Sequence, residues 1–554
     1  MSGTSDGVPR VLETAPERYR HWRLAVDGAV ARLALAVDEA GALQDGVALK
    51  RNSYDLGVDL ELRDAVTRLR IEHPEVRCVV LESALPDVFC AGANIAMLAR
   101  SSHPLKVNFC KLTNETRLEI EDATRTGQRW IAALAGTASG GGYELALACE
   151  RILLVDDRRA AVSLPELPLL AVLPGTGGLT RLVDKRGVRR DLADVFCTLE
   201  EGVRAPRALE WGLVDAIAVP SEFGALVERE VAAALAPVHA SHGHPTHGSH
   251  GHPTRAPRAP RAAAGLLLEA LDPEVTARRI GYRHIRVSLD PERRVAEIRL
   301  AVPEGSLVEM LRLARELDDA LLRLRFHHTE LGLWLLRVVG SPAAASQLDR
   351  ELCADSWLAG EVRALWGRVL KRLENSARSS FALADAGACF VGPFLELALA
   401  ADRSYLLRDA DPPASLELTP ANFGAYRMGN GLTRLETRFL GAPALLERAR
   451  AASGALDAER ALELGLVTEA LDEIDWGDSL RVVIEERASF SPDALTGLEA
   501  SLRFAGPETL ETKIFARLSA WQNWIFQRPN AAGPDGALRA YGRPERAKFD
   551  WNRT

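Results

Sequence analysis

The chain has 554 residues, 47% hydrophobic, 26% charged and 6% aromatic, and 68 Lys and Arg stand against 76 Asp and Glu for a net charge of −8. That length exceeds what one hydrophobic core serves, so at least two domains are expected. The acidic balance argues against general nucleic-acid binding, no apolar stretch approaches the span of a bilayer, and the first twenty residues carry no apolar signal core.

In chain order, residues 30–36 read as a strand, and apolar positions at helical spacing predict a helix over 55–72. The β-branched run at 76–83 reads as a strand, 144–152 as a buried helix and 151–157 as a following strand. This alternation predicts an α/β domain with crossover connections. Residues 236–264 then break the pattern, being low in complexity and holding six of the twelve histidines. A metal-binding tract is one reading. The repeated G-H-P-T element, with no Cys or carboxylate interleaved, reads more simply as a flexible linker.

Beyond that segment the sequence repeats itself. YELALACER at 143–151 returns as LELALAADR at 395–403, GGLTRL at 177–182 as NGLTRL at 430–435, and ALEWGLV at 208–214 as ALELGLV at 461–467. Matches in one order at nearly one offset indicate a tandem duplication across the linker. The expected domains are 1–235, a linker at 236–264, and a second copy with a helical C-terminal extension at 265–554. The cysteines at 78, 90, 110, 149, 197, 353 and 389 are odd in number and never spaced C-x-x-C. That spacing points to neither a disulfide framework nor a zinc cluster, and a reducing cytoplasm is expected.

Three segments of the first copy carry candidate chemistry: F-C-A-G-A-N-I at 89–95, S-G-G-G-Y-E at 139–144, and the Pro- and Gly-rich 164–182. Glycines opening a helix let backbone N–H groups approach a ligand at the positive end of the helix dipole. The small-residue turn 91–93 can present another N–H, and two converging donors make an oxyanion hole. Glu144 follows the glycine run in the first helical turn. Glu166 lies on a stiff segment between Pro165 and Pro168. Two carboxylates from separate segments can divide acid and base roles. Taken singly, the glycines are an ordinary turn, Glu144 a first-turn charge and Glu166 a loop carboxylate; the conjunction in this order is the specific signal.

Together these segments resemble the crotonase (enoyl-CoA hydratase/isomerase) superfamily over roughly residues 22–230. The resemblance implies that Ala93 and Gly141 supply the N–H groups holding an acyl-CoA thioester oxygen, and that Glu144 and Glu166 are the paired acid and base. Cys90 and Asn94 depart from the usual pattern; with Gly142 they are expected to border the substrate. Cys110 falls in the segment that walls the acyl pocket in the family, although a buried cysteine needs no function. Lys50 and Arg51 are candidates for the CoA phosphates, and the cation run Lys185, Arg186, Arg189, Arg190 is another, although a charge run is more often a solvated face.

The fusion of two copies, with the stretches 51–62, 107–117 and 140–150, resembles more narrowly the ring-opening lyases of aerobic, CoA-dependent benzoate degradation. This implies conversion of 2,3-epoxy-2,3-dihydrobenzoyl-CoA and water to 3,4-dehydroadipyl-CoA semialdehyde and formate, with no metal or redox cofactor. A cytoplasmic homo-oligomer, a dimer, is the expected state, with no membrane or nucleic-acid partner. In the second copy Gly392, Pro393, Phe394 and Leu395 stand opposite Gly140 to Tyr143, and Thr419 stands opposite Glu166. Proline has no N–H, so Pro393 cannot act as Gly141 does; only Glu396, opposite Glu144, persists. The second copy is expected to be a scaffold. Two other readings stand beside the lyase: a 2-enoyl-CoA hydratase with an added domain, and a non-catalytic relative that binds RNA or a partner protein. The intact first-copy set and the acidic charge oppose the last.

Overall fold

Alternating side chains at 22–35 fold as a hairpin of β1 (Trp22–Asp27) and β2 (Val30–Leu35), which turns Ala31, Leu33 and Leu35 into the core. The computed structural model describes residues 7–236, 264–544 and 547–554. It divides into two compact units, Met1–Glu269 and Ala270–Thr554. The linker at 236–264 lies, apart from its two end residues, outside the described residues. Just after it, Leu266 N–H donates to Ile71 O at 3.0 Å and Leu268 N–H to Glu72 at 2.8 Å. Residues 264–269 therefore pack with the first unit, whereas a boundary at 265 would give them to the second.

In the first unit the predicted elements appear as α1 (Leu56–Ile71), capped by Asp55, β3 (Cys78–Ser83), and later β7 (Arg151–Val155). Between them lie β4 (Val88–Cys90), α2 (Ile95–Arg100), α3 (His103–Arg125), β5 (Arg129–Leu134), β6 (Thr137–Ser139) and α4 (Gly141–Ala148). The unit closes through β8 (Ala161–Ser163), β9 (Val203–Arg204) and β10 (Ala216–Ala218). The main sheet has the order β1-β2-β3-β5-β7-β10 and the smaller one β4-β6-β8-β9. Beyond the hairpin the main strands run parallel, as do β4, β6 and β8. Each main strand from β3 to β7 thus continues into a strand of the smaller sheet. The three motif segments leave the carboxyl ends of β4, β6 and β8, three neighbouring parallel strands, which is why they converge; ligands of parallel sheets sit at that edge.

Helix α4 is buried from Gly142 to Ala148, as its unbroken apolar sequence requires. Lys185, expected among the phosphate-binding cations, instead donates to the carbonyls of Leu147 at 2.9 Å and Ala148 at 2.8 Å and pairs with Glu121 at 2.9 Å. It neutralises the negative end of the helix. Arg186 donates to Gly212 O and Asp215, so two of the four cations in that run serve the fold, while Arg189 makes an exposed pair with Asp191.

The second unit repeats the plan. Its main sheet comprises β11 (Glu274–Val275), β12 (Arg279–Gly281), β13 (Ile285–Asp290), β14 (Val295–Ala301), β15 (Leu333–Val339), β16 (Ser379–Ala384), β18 (Arg403–Leu407) and β20 (Glu469–Leu471). A separate pair is formed by β17 (Cys389–Val391) and β19 (Ser415–Glu417). A series of helices follows from Glu473 onwards, as expected for the C-terminal extension. No counterpart of β4 is found, because after β15 the chain turns directly into helix Pro342–Cys353. At the position of the glycine run, Pro393 O accepts from Trp366 Nε1 at 3.1 Å, and the Phe394 ring meets the Trp366 ring edge-on. Glu396 is ion-paired to Arg434 at 2.7 Å, and Arg434 to Glu374 at 2.8 Å, all three almost fully buried.

Removing the cation from such a buried set leaves two carboxylates without a counter-charge, which typically costs about 3–5 kcal/mol. Arg434→Met is expected to lower the unfolding free energy of the second unit by that amount in urea titration. Adding Glu374→Gln and Glu396→Gln should recover most of the loss. A single variant as stable as the parent would refute the role given to this triad.

Candidate active site

The turn Cys90–Asn94 is pinned to the segment before α1. Tyr54 N–H donates to Gly92 O at 2.9 Å and Asn94 N–H to Tyr54 O at 2.8 Å, so the Ala93 N–H faces the opposite side. On that side lies the start of α4. A methyl group placed on Gly141 would stand 3.4 Å from the Ala93 nitrogen, and one on Gly92 3.1 Å from the Gly141 nitrogen. The two N–H groups are therefore neighbours across a gap that any side chain would fill. Gly140, at φ +51°, makes the sharp entry into the helix. A Cβ on Gly142 would lie 2.6 Å from both the Cys90 carbonyl oxygen and its Cβ, so that position is held to glycine by backbone packing.

The paired carboxylates flank this gap in different settings. Glu144 Oε1 accepts the backbone N–H groups of Thr176 at 3.0 Å and Gly178 at 2.8 Å, and the Thr176 hydroxyl donates to its other oxygen. A Cβ on Gly178 would reach within 2.8 Å of Glu144, which explains the second glycine cluster at 175–178. Arg181, paired with Glu121, donates to Thr176 O at 3.0 Å and holds that receptor loop in place. Thr176, Gly178 and Arg181 hold Glu144 in place and were missed by sequence reasoning; the glycine density of P-G-T-G-G was their only signal.

Glu166 has no such support. Its Oε2 is buried and has no hydrogen-bond partner among the described residues, and a Cβ on Gly140 would stand 2.7 Å from its Oε1. Burial first, then the neighbouring Glu144 charge, pushes its carboxyl up to about 7 from the usual 4.5. The two glutamates therefore differ, one buried but accepting three hydrogen bonds from the protein and the other a proton holder near neutrality.

The residues expected around the substrate divide into two groups. Cys90 is fully buried; its thiol donates to Asn52 O at 3.0 Å, and burial raises it to about 11. Asn94 caps α2 by accepting from Met97 N–H and donates to Ala48 O and Ser53 Oγ. Both side chains are turned into the fold, where they shape the turn. Cys110 lies on α3, half-buried, its Sγ 3.8 Å from where a Gly175 Cβ would sit. Its thiol is also raised to about 11, by burial and then by Glu144. Lys50 and Arg51 are exposed, and Arg51, at φ 55°, faces Asp87 at 3.5 Å. Asn52, missed from sequence, donates to Leu35 O, Phe89 O and Ser83 Oγ and so joins both sheets beneath the turn.

The sequence profile of the enoyl-CoA hydratase/isomerase family matches residues 49–242. Benzoyl-CoA-dihydrodiol lyase from Aromatoleum evansii is 47% identical over 557 residues, covering 98% of this chain and 97% of its own. Among solved structures, the enoyl-CoA hydratase of Geobacillus kaustophilus HTA426 is 31% identical, covering 40% of this chain and 76% of its own at a TM-score of 0.35. The Bacillus anthracis enoyl-CoA hydratase is 27% identical, covering 39% and 76% at a TM-score of 0.33.

Since folding binds the Glu166 proton more tightly than the unfolded chain does, stability falls as pH rises from about 4.5 to about 7 and stays lowered above that range. Glu166→Gln removes the penalty. Its melting temperature is expected to exceed that of the parent at pH 8 and to lose that advantage at pH 4.5; equal offsets at the two pH values would contradict the assignment.

Proposed function

The chain belongs to the enoyl-CoA hydratase/isomerase (crotonase) family, and from that premise we propose that it is a carbon–carbon lyase acting on an oxygenated benzoyl-CoA. The reaction is the opening of 2,3-epoxy-2,3-dihydrobenzoyl-CoA to 3,4-dehydroadipyl-CoA semialdehyde and formate. A seven-carbon acyl group becomes a six-carbon one plus a one-carbon acid, and the atoms balance with two molecules of water. The change is hydrolytic, so the reading calls for no metal or redox cofactor. The observation that carries it is the 47% identity to benzoyl-CoA-dihydrodiol lyase running through both units. An ordinary 2-enoyl-CoA hydratase accounts only for the part of the chain that the family profile matches.

The thioester oxygen lies between the Ala93 and Gly141 N–H groups. As a ring carbon–carbon bond breaks, its electrons move into conjugation with the thioester, and negative charge grows on that oxygen. Donors already aimed there stabilise the charged state more than the ground state. Glu144, fixed by Thr176 and Gly178, orients and deprotonates water, while Glu166 delivers a proton to the opening epoxide oxygen or to the developing carbanion. Support for this division is the contrast between a carboxylate accepting three hydrogen bonds and one raised to about 7. Cys110, protonated at neutral pH, packs against the acyl group, and Lys50 and Arg51 meet the CoA phosphates. The second unit serves as scaffold, in keeping with the loss of an N–H at Pro393.

The proposed setting is the cytoplasm, in keeping with the cysteines being free thiols. The proposed state is a homodimer; exposed Leu510, Phe515 and Phe526 offer apolar surface for a second copy, and sedimentation velocity measures it.

Formate release on adding the epoxide thioester tests the activity directly, with crotonyl-CoA hydration as the competing assay. Glu144→Gln and Glu166→Gln are each expected to lower turnover by about 100- to 10,000-fold. Crotonyl-CoA hydration without formate release would favour the hydratase reading, and turnover within a few-fold of the parent in both variants would reject the assigned roles.

A further inference from the structure

Beneath the two donor segments lies a set of buried polar groups that the proposed chemistry does not use. The Tyr54 hydroxyl donates to Asp59 Oδ1 at 2.9 Å, and the Thr116 hydroxyl donates to Asp59 Oδ2 at 2.8 Å. The Arg117 guanidinium stands 5.9 Å from the centre of the Tyr54 ring. Its Nη1 donates to Thr113 O at 2.9 Å and its Nη2 to Gly141 O at 3.0 Å. Tyr54, Asp59 and Arg117 are 3%, 0% and 1% exposed.

The set touches both halves of the gap. Tyr54 grips the Gly92–Asn94 turn through its own backbone, and Arg117 grips Gly141 through its carbonyl. Three successive glycines leave the entry to α4 with no side chain to hold it, so the orientation of the Gly141 peptide must be imposed from outside. Arg117 is also an expensive group to keep here. No carboxylate lies within 4.0 Å of it among the described residues, and its Nε has no acceptor. Its counter-charge is the equally buried Asp59, which it stabilises without touching, and such a separated pair is held at a cost that an apolar side chain of similar volume would avoid.

We propose that Arg117 is the positioning residue of the oxyanion hole, and that Tyr54 and Asp59 complete a buried brace which fixes the Gly141 N–H relative to the Ala93 N–H. The inference rests on the reading that these two N–H groups hold the thioester oxygen. Arg117 acts through Gly141 and does not touch substrate. Its positive charge, beside the first turn of α4, adds to the field that the helix terminus already presents to a growing oxyanion.

The test uses Arg117→Met, Arg117→Lys and Tyr54→Phe in the full chain. Readouts are kcat and KM for formate release, melting temperature, and the isotope-edited infrared carbonyl stretch of bound benzoyl-CoA, an unreactive probe. In the parent the stretch should lie below its value in water, because two N–H donors polarise the carbonyl. Arg117→Met should move it back towards the free value and lower kcat by about a hundredfold, with KM changed by less than about threefold. Arg117→Lys and Tyr54→Phe should each lower kcat by about tenfold, with a smaller return of the stretch. A merely structural role would shift melting temperature alone. If Arg117→Met does not fold, the other two variants decide on the same terms. No lowering of the stretch in the parent would overturn the oxyanion-hole reading and the brace with it. A normal parent, with folded variants that keep both stretch and kcat, would overturn the brace alone.

Discussion

Two backbone N–H groups can face one oxygen only where no side chain stands between them, and the Ala93 and Gly141 N–H groups of the first unit meet that condition. Gly92 and Gly141 leave the gap open, Gly140 turns the chain into α4, and Gly142 lets the Cys90 turn lie against the helix. The rest answers to the weakness this creates. A helix entered through three glycines has little intrinsic order, so it is buried along its length, neutralised at its far end by Lys185, and gripped at its near end by Arg117. The two carboxylates owe their contrast to the same geometry. Glu144 projects from the first turn into a loop of N–H donors, whereas Glu166 is held against Gly140 with one oxygen unpartnered.

Much of this was legible in the sequence because local chemistry dictates it. The long helix at 56–71 and the strands at 30–35, 78–83 and 151–155 have enough apolar positions to show a period. The duplication was readable from ELALA and GLTRL, and Pro393 excluded a donor without any coordinates. The conjunction of the site's segments was readable but the strands that bring them together were not, since β4, β6 and β8 have three residues each, too few to carry an alternation. Cations were misjudged for a related reason. Lys185 and Arg186 look like a solvated run until the carbonyls of Leu147, Ala148 and Gly212 are brought to them by the fold. Arg117 gave no signal either, since its meaning lies in Gly141, far along the chain.

The second unit shows what the plan becomes once the requirement is lifted. Main-sheet order and the smaller parallel pair persist, because they depend on apolar burial. The strand and turn that carried Ala93 are gone. Large side chains, Phe394 and Trp366, occupy the helix entry, and the one surviving glutamate is tied into an ion pair.

That ion pair has a consequence for the history of the two halves. Restoring glycine at 393 would return an N–H, yet Trp366 would still bond the carbonyl there, Phe394 would still fill the gap, and Glu396 would still face Arg434. Each reversion taken alone loses packing or leaves a charge unpaired in the core, and none restores the missing strand and turn. Packing, backbone bonding and charge at the helix entry of the duplicate thus support one another, and no single substitution there can be reversed without disturbing the rest.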